Sequence, residues 1–133
     1  MNVFVDTSVW SLAFRRDRPS TDPRVTALAR CLQAGDLVFT TGLVLQELLQ
    51  GFDGPKARSK LLARFSRLPT IVPSTKDHVQ AAAMRNRCRR KGVQIGTIDA
   101  LIAHLCINNE LQLLTADKDF QRVAKHTRLA LLR

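Results

Sequence analysis

A chain of 133 residues with 45% apolar content is long enough for one domain with a buried core, expected to span residues 1–133. Its 21 Lys and Arg against 11 Asp and Glu leave a net charge of +10, a field that attracts polyanions and also keeps a protein soluble. No apolar run approaches the roughly eighteen residues that span a bilayer, the first apolar run is broken by Asp6 and has no basic segment before it, and Cys31, Cys88 and Cys106 form no CxxC pair, so a cytoplasmic protein with reduced cysteines and no membrane partner is expected.

In chain order, Val3-Phe4-Val5 reads as a buried strand that delivers Asp6 to its carboxyl end. Thr7 is the expected cap of a short helix carrying Val9, Trp10, Leu12 and Ala13, which ends in Arg15-Arg16-Asp17-Arg18-Pro19. Asp22-Pro23 starts a helix with Val25, Leu28, Ala29 and Leu32 inside, stopped by Gly35. A strand over 37–40 leads into a helix opened by Thr41 and Gly42 and closed by Gly51. Glu47 lies in this apolar segment, where a buried carboxylate needs a partner, a proton or a metal. The alternative is a helix turned so that Glu47 meets solvent beside Gln46 and Gln50.

Gly54-Pro55 begins a basic helix with Leu61, Leu62 and Phe65 as its inner face, and a strand over 70–72 stops at Pro73. Ser74 or Thr75 caps a helix that runs to Arg85-Asn86-Arg87-Cys88-Arg89-Arg90-Lys91-Gly92. Cations complement a helix C-terminus, but five basic residues in seven exceed that need and suit phosphate contact. Thr97 is the expected cap of the next helix, with Asp99 in its first turn and His104 half-buried on its apolar face. A strand over 111–115 breaks at Ala116-Asp117-Lys118-Asp119-Phe120, and 128–132 form a last short strand. Strands alternating with helices indicate an α/β fold with a mainly parallel sheet.

In that arrangement right-handed crossovers bring Asp6, Glu47, Asp99 and Asp117 to one sheet edge. Two carboxylates about 4 Å apart repel by roughly 4 kcal/mol at an effective dielectric near 20, and a hard divalent cation removes the conflict. An all-oxygen donor set suits Mg²⁺ or Mn²⁺; zinc would favour histidine or thiolate ligands. A bound cation can activate water against a phosphodiester, while the basic residues hold the polyanion. Arg15, Arg16 and Arg18 near the Asp6 edge, and Arg85, Arg87, Arg89 and Arg90 at the helix end, are the expected RNA-binding residues.

The segments Val5-Asp6-Thr7-Ser8-Val9-Trp10, Gln46-Glu47-Leu48 with Gly51, Thr97-Ile98-Asp99-Ala100-Leu101-Ile102-Ala103 and Thr115-Ala116-Asp117-Lys118-Asp119-Phe120 closely resemble the PIN-domain toxins of VapC type, in order and over essentially the whole chain. The resemblance implies a three-layer α/β/α PIN-like fold with a five-stranded parallel sheet in order 3-2-1-4-5, and a Mg²⁺- or Mn²⁺-dependent endoribonuclease acting on structured RNA such as a tRNA or a ribosomal RNA loop. It implies Asp6, Glu47, Asp99 and Asp117 as the catalytic and metal-holding acids, Asp119 as an outer ligand, and Thr7, Ser8 and Thr115 as supporting hydroxyls. It further implies a homodimer silenced by a VapB-type antitoxin. The residues leave room for a basic nucleic-acid-binding domain without catalysis, and for a receiver-like module that accepts a phosphoryl group on one Asp.

Overall fold

The computed structural model describes residues 1–15 and 21–133. The order of elements is β1 (Asn2–Val5), α1 (Thr7–Ala13), α2 (Pro23–Gln33), β2 (Leu37–Thr41), α3 (Gly42–Gly51), α4 (Pro55–Phe65), β3 (Thr70–Ile71), α5 (Thr75–Arg90), α6 (Thr97–Asn108), β4 (Gln112–Leu114), α7 (Asp119–His126) and β5 (Ala130–Leu131). The strands form one parallel sheet in the order β3-β2-β1-β4-β5. β1 is central, with Phe4 paired to Phe39 on one side and to Leu113 on the other. Successive side chains of a strand point to opposite faces, yet Val3, Phe4 and Val5 are all fully buried. Both faces of the sheet are therefore covered by helices, the α/β/α layering expected of a parallel sheet.

The strand order also locates a crevice. From β1 the chain winds outward through β2 and β3, then returns to the other side for β4 and β5. The direction reverses between β1 and β4, and loops at the carboxyl ends diverge there and leave room for a ligand.

Local chemistry sets the helix ends. Asp22 accepts from the backbone N–H of Arg24 at 2.9 Å ahead of Pro23, and Thr41 accepts from that of Val44 at 3.5 Å. Ser74 and Asp77 form a reciprocal capping box, which selects Ser74 over Thr75 as the cap. Gly35 and Gly92, at φ +76° and +81°, turn the chain out of α2 and α5 in a conformation that disfavours a Cβ. One main core joins both layers, with the Trp10 ring 5.1 Å from that of Phe65.

Several expectations are corrected. Thr7 is not a cap: Asp6 occupies the N-cap position of α1 without a side-chain cap bond, and Thr7 is the first helical residue. Gly96, not Thr97, is the N-cap of α6. Leu62 is 40% exposed, because the four-residue spacing of Leu61 and Phe65 already fills the inward stripe of α4. Strand β3 ends at Ile71, and Val72 beyond it is 83% exposed. Strands β4 and β5 are shorter than 111–115 and 128–132, since only 112–114 and 130–131 have paired neighbours. Helix α7 lacked a start signal, since its N-cap is Lys118 without a side-chain cap bond; Phe120 and Val123 bury its inner face.

The three cysteines are free and buried, as expected. Burial, and secondarily the negative charge of Asp6, pushes the Cys106 thiol far up, so it is inert. His104 is buried with Nε2 3.0 Å from Asp77 Oδ1, which ties α6 to α5. Among the described residues no helix is long and apolar enough to cross a membrane.

Candidate active site

Asp6 stands at the carboxyl end of β1, held in the sheet by a bond from its backbone N–H to Leu114 O at 2.9 Å. It is a buried carboxylate, 6% exposed, and burial of this kind requires hydrogen-bond compensation. Oδ2 supplies it by accepting from the Ser8 hydroxyl at 2.7 Å and from the Thr115 hydroxyl at 2.9 Å. Each hydroxyl has one proton and spends it on Asp6, so the 3.4 Å contact between Ser8 Oγ and Thr115 Oγ1 contains no hydrogen. Their lone pairs face the β4 loop, where Ser8 Oγ accepts from Ala116 N at 3.0 Å and Thr115 Oγ1 from Asp117 N at 3.0 Å. The same two hydroxyls thus fix both the Asp6 carboxylate and the backbone that carries Asp117. Oδ1 of Asp6 accepts no hydrogen bond among the described residues and is left for the crevice.

Asp117 in turn accepts from the backbone N–H of Asp119 at 2.9 Å through Oδ1, a turn that leads into α7. Glu47 reaches the edge from α3, where Oε1 accepts from the Thr7 hydroxyl at 2.8 Å. It is exposed, so the helix is turned as in the solvent-facing alternative, but toward this crevice. The apolar neighbours Val44 and Leu48 take the inward face instead. Thr7, placed at the first position of α1, serves Glu47 because its helix starts at the sheet edge.

Asp99 lies in the first turn of α6. Its carboxyl is pushed up to about 6, first by burial and then by the negative charges of Asp6, Asp117, Glu47 and Asp119. All five acids expected at the site therefore act on one locus. Among the described residues no three His, Cys, Asp or Glu side chains already stand at metal-ligand spacing. The chemistry of the donor set still fits a hard cation: the donors are carboxylate oxygens, no histidine or thiolate joins them, and the charge that disfavours ionised Asp99 is the charge a divalent ion would neutralise.

The basic residues divide. Arg16 and Arg18 lie outside the described residues. Arg15 is exposed past the far end of α1 and lines a groove of about 530 Å³ with Phe14, Phe52, Lys60 and Arg64. Arg87 and Arg90 are exposed on α5. Arg89 is exposed as well, but it and the half-buried Arg85 line a cavity with the loop before α6, and Arg85 Nε donates to Ile95 O at 2.8 Å. Sequence reading had no signal for that bond, because nothing local marks a carbonyl ten residues away as a partner.

A parallel sheet with carboxylates gathered at its switch point defines an α/β/α domain with an anionic, oxygen-rich crevice. Its family follows from comparison: the PIN domain family model matches residues 3–126, and the chain belongs to the PIN domain family. The resemblance to VapC-type members is borne out among solved structures. The chain shares 25% identity with a chain of VapBC2 from Rickettsia felis bound to a DNA fragment from its promoter, covering 99% of this chain and 98% of that one at a TM-score of 0.78. It shares 18% identity with VapBC-1 from nontypeable Haemophilus influenzae, covering 99% and 97% at a TM-score of 0.75. It shares 23% identity with VapC20 from Mycobacterium tuberculosis, described as a sarcin-ricin loop cleaving toxin, covering 90% and 92% at a TM-score of 0.66. No protein with a curated description matches the sequence.

Proposed function

We propose that this protein is the toxin of a toxin–antitoxin pair and acts as a Mg²⁺- or Mn²⁺-dependent endoribonuclease. The observation that carries the reading is the joint action of Asp6, Glu47, Asp117 and Asp119 on Asp99 at the sheet edge, in a chain whose net charge is +10. A fold alone does not specify chemistry; an acidic crevice within a basic surface does narrow it, because the acids attract cations and the surface attracts phosphates. VapC20, to which the chain is similar, is described as a sarcin-ricin loop cleaving toxin, which supports RNA as substrate class.

Asp6, Glu47, Asp99 and Asp117 would hold the ion, with Asp119 outside them. When bound, such an ion lowers the pKa of a water and stabilises charge on phosphate oxygens. The chain's own contribution is positioning. Ser8 and Thr115 fix Asp6 through Oδ2 and leave Oδ1 to face the crevice. Thr7 restrains Glu47, and the Thr115 hydroxyl sets the Asp117 backbone. A carboxylate of this cluster takes the proton of the attacking water. Water attacks phosphorus and gives its proton to that carboxylate, the bond to the leaving ribose oxygen breaks, and the proton passes on to that oxygen.

The partnership follows the same reading: a VapB-type antitoxin bound to a homodimer of this single-domain chain in the cytoplasm. The structural relatives include chains from VapBC complexes, which supports such a pairing. The test is incubation with structured RNA and with DNA of matching sequence, each with Mg²⁺, Mn²⁺ or EDTA. Discrete metal-dependent fragments of RNA alone are expected; equal cleavage of DNA would replace the ribonuclease reading with a general nuclease, and cleavage in EDTA would remove the metal.

A further inference from the structure

We propose that Arg85 and Arg89, together with the backbone of residues 94–96, form a pocket for one backbone phosphate of the RNA beside the acidic edge. This inference rests on the nuclease reading and deepens it. The cavity encloses about 440 Å³ and is lined by Arg85, Arg89, Gln94, Ile95 and Gly96. Residues 85 and 89 are four apart on α5 and so lie on one flank of the helix. Arg87 and Arg90 are turned away by about 200° and 140° from Arg85 at ~100° per residue. The helix-end cluster is therefore two surfaces, and the one with Arg85 and Arg89 borders this cavity.

Three features make that cavity an anion site. Arg85 is half-buried, and its Nε–H bond to Ile95 O at 2.8 Å holds the guanidinium plane while its two terminal nitrogens have no hydrogen-bond partner among the described residues. Neither Arg85 nor Arg89 has an acidic partner among the described residues, where the ion pairs are Met1 with Asp36, Arg24 with Asp22, and His104 with Asp77. Two guanidinium groups lining one cavity without a carboxylate favour an anion, and their planar forks suit phosphate oxygens. Gly96 is also the N-cap of α6 without a side-chain cap bond, so the first-turn N–H groups on that side are not occupied by a cap.

The position ties the pocket to the reaction. Asp99 is three residues along α6 from Gly96, a rise of about 4.5 Å. A strand with one phosphate in this pocket would run on past the first turn of α6, which carries Asp99. The pocket therefore sets which bond enters the site, and the acids cut it.

The probe is a fluorescein-labelled stem-loop RNA, with affinity measured by anisotropy in EDTA across a salt series, beside cleavage kinetics in Mn²⁺. Arg89→Gln should weaken binding about fivefold and lower the slope of log affinity against log salt by about 0.7 to 0.9. Arg30→Gln removes the same charge from the exposed end of α2 and should leave affinity within about twofold and the slope unchanged. Arg89→Lys keeps the charge and should restore the slope. In cleavage, Arg89→Gln should raise KM and leave kcat. Equal losses in Arg30→Gln and Arg89→Gln would overturn the pocket in favour of a diffuse field, with the nuclease reading still standing. Wild-type protein that neither binds nor cleaves the RNA would overturn the nuclease reading and the pocket with it.

Discussion

Replacing Asp99 with asparagine should stabilise the metal-free protein at neutral pH. Asp99 is pushed from its ordinary 3.8 to about 6 by burial and by four neighbouring carboxylates, so the fold opposes its ionisation. At ~1.4 kcal/mol per pH unit this displacement sets a ceiling of ~3 kcal/mol, and the partial exposure of Asp99 in α6 reduces it to about 1–1.5 kcal/mol. The sign follows from proton binding. Between about pH 4 and 6 the folded state holds the Asp99 proton more tightly than the unfolded chain, so stability falls as pH rises through that window. Asp99→Asn removes this fall. In EDTA at pH 7.5 its thermal midpoint should lie about 3–5 °C above wild type, and the two should converge as the pH falls below the ordinary value of 3.8. Saturating Mg²⁺ should raise wild type and leave the variant unmoved, since ligand binding to the native state stabilises by mass action. A variant less stable than wild type in EDTA at pH 7.5 would refute the charge-repulsion argument.

Thr115→Val removes the donor to Asp6 and the acceptor of the Asp117 N–H together; a loss of about 1–3 kcal/mol in urea unfolding is expected, with RNA cleavage reduced at least about tenfold and both effects largely recovered in Thr115→Ser. Asp77→Ala breaks the α5 capping box and the His104 contact at once, and should cost about 1–2 kcal/mol by chemical denaturation. Asp77 is held below its ordinary value, first by the Ser74 backbone N–H and then by His104, so its share of stability is present above about pH 4 and is lost on acidification. The stability gap between wild type and Asp77→Ala should therefore narrow below pH 4.

What could be read from the sequence depended on how local each signal was. Asp6 and Asp117 were legible because a strand ends in a carboxylate within a few residues, and the Asp22-Pro23 and Thr41-Gly42 starts were legible because the capping atoms are neighbours in the chain. Glu47 was ambiguous for a physical reason: periodicity tells which residues face inward but not what lies over the outward face, and Thr7 lies there, forty residues away. Thr7 itself was misassigned as a cap, since a hydroxyl after a strand suits either the N-cap or the first helical position. Helix α7 begins at Asp119, and its N-cap Lys118 makes no side-chain cap bond, so no local signal marked its start. The cluster from Arg85 to Lys91 read as one basic patch; only the packing of α5 against the loop before α6 separates Arg85 and Arg89 from Arg87 and Arg90.

The central claim, that these acids form a metal-dependent ribonuclease centre, is tested most directly by incubating total cellular RNA with purified protein free of antitoxin. The reactions contain Mg²⁺, Mn²⁺ or EDTA, beside Asp6→Asn with its fold verified by circular dichroism. The account predicts a few discrete fragments with wild type and metal, and none with EDTA or with Asp6→Asn. The same fragments from the folded Asp6→Asn variant would contradict it.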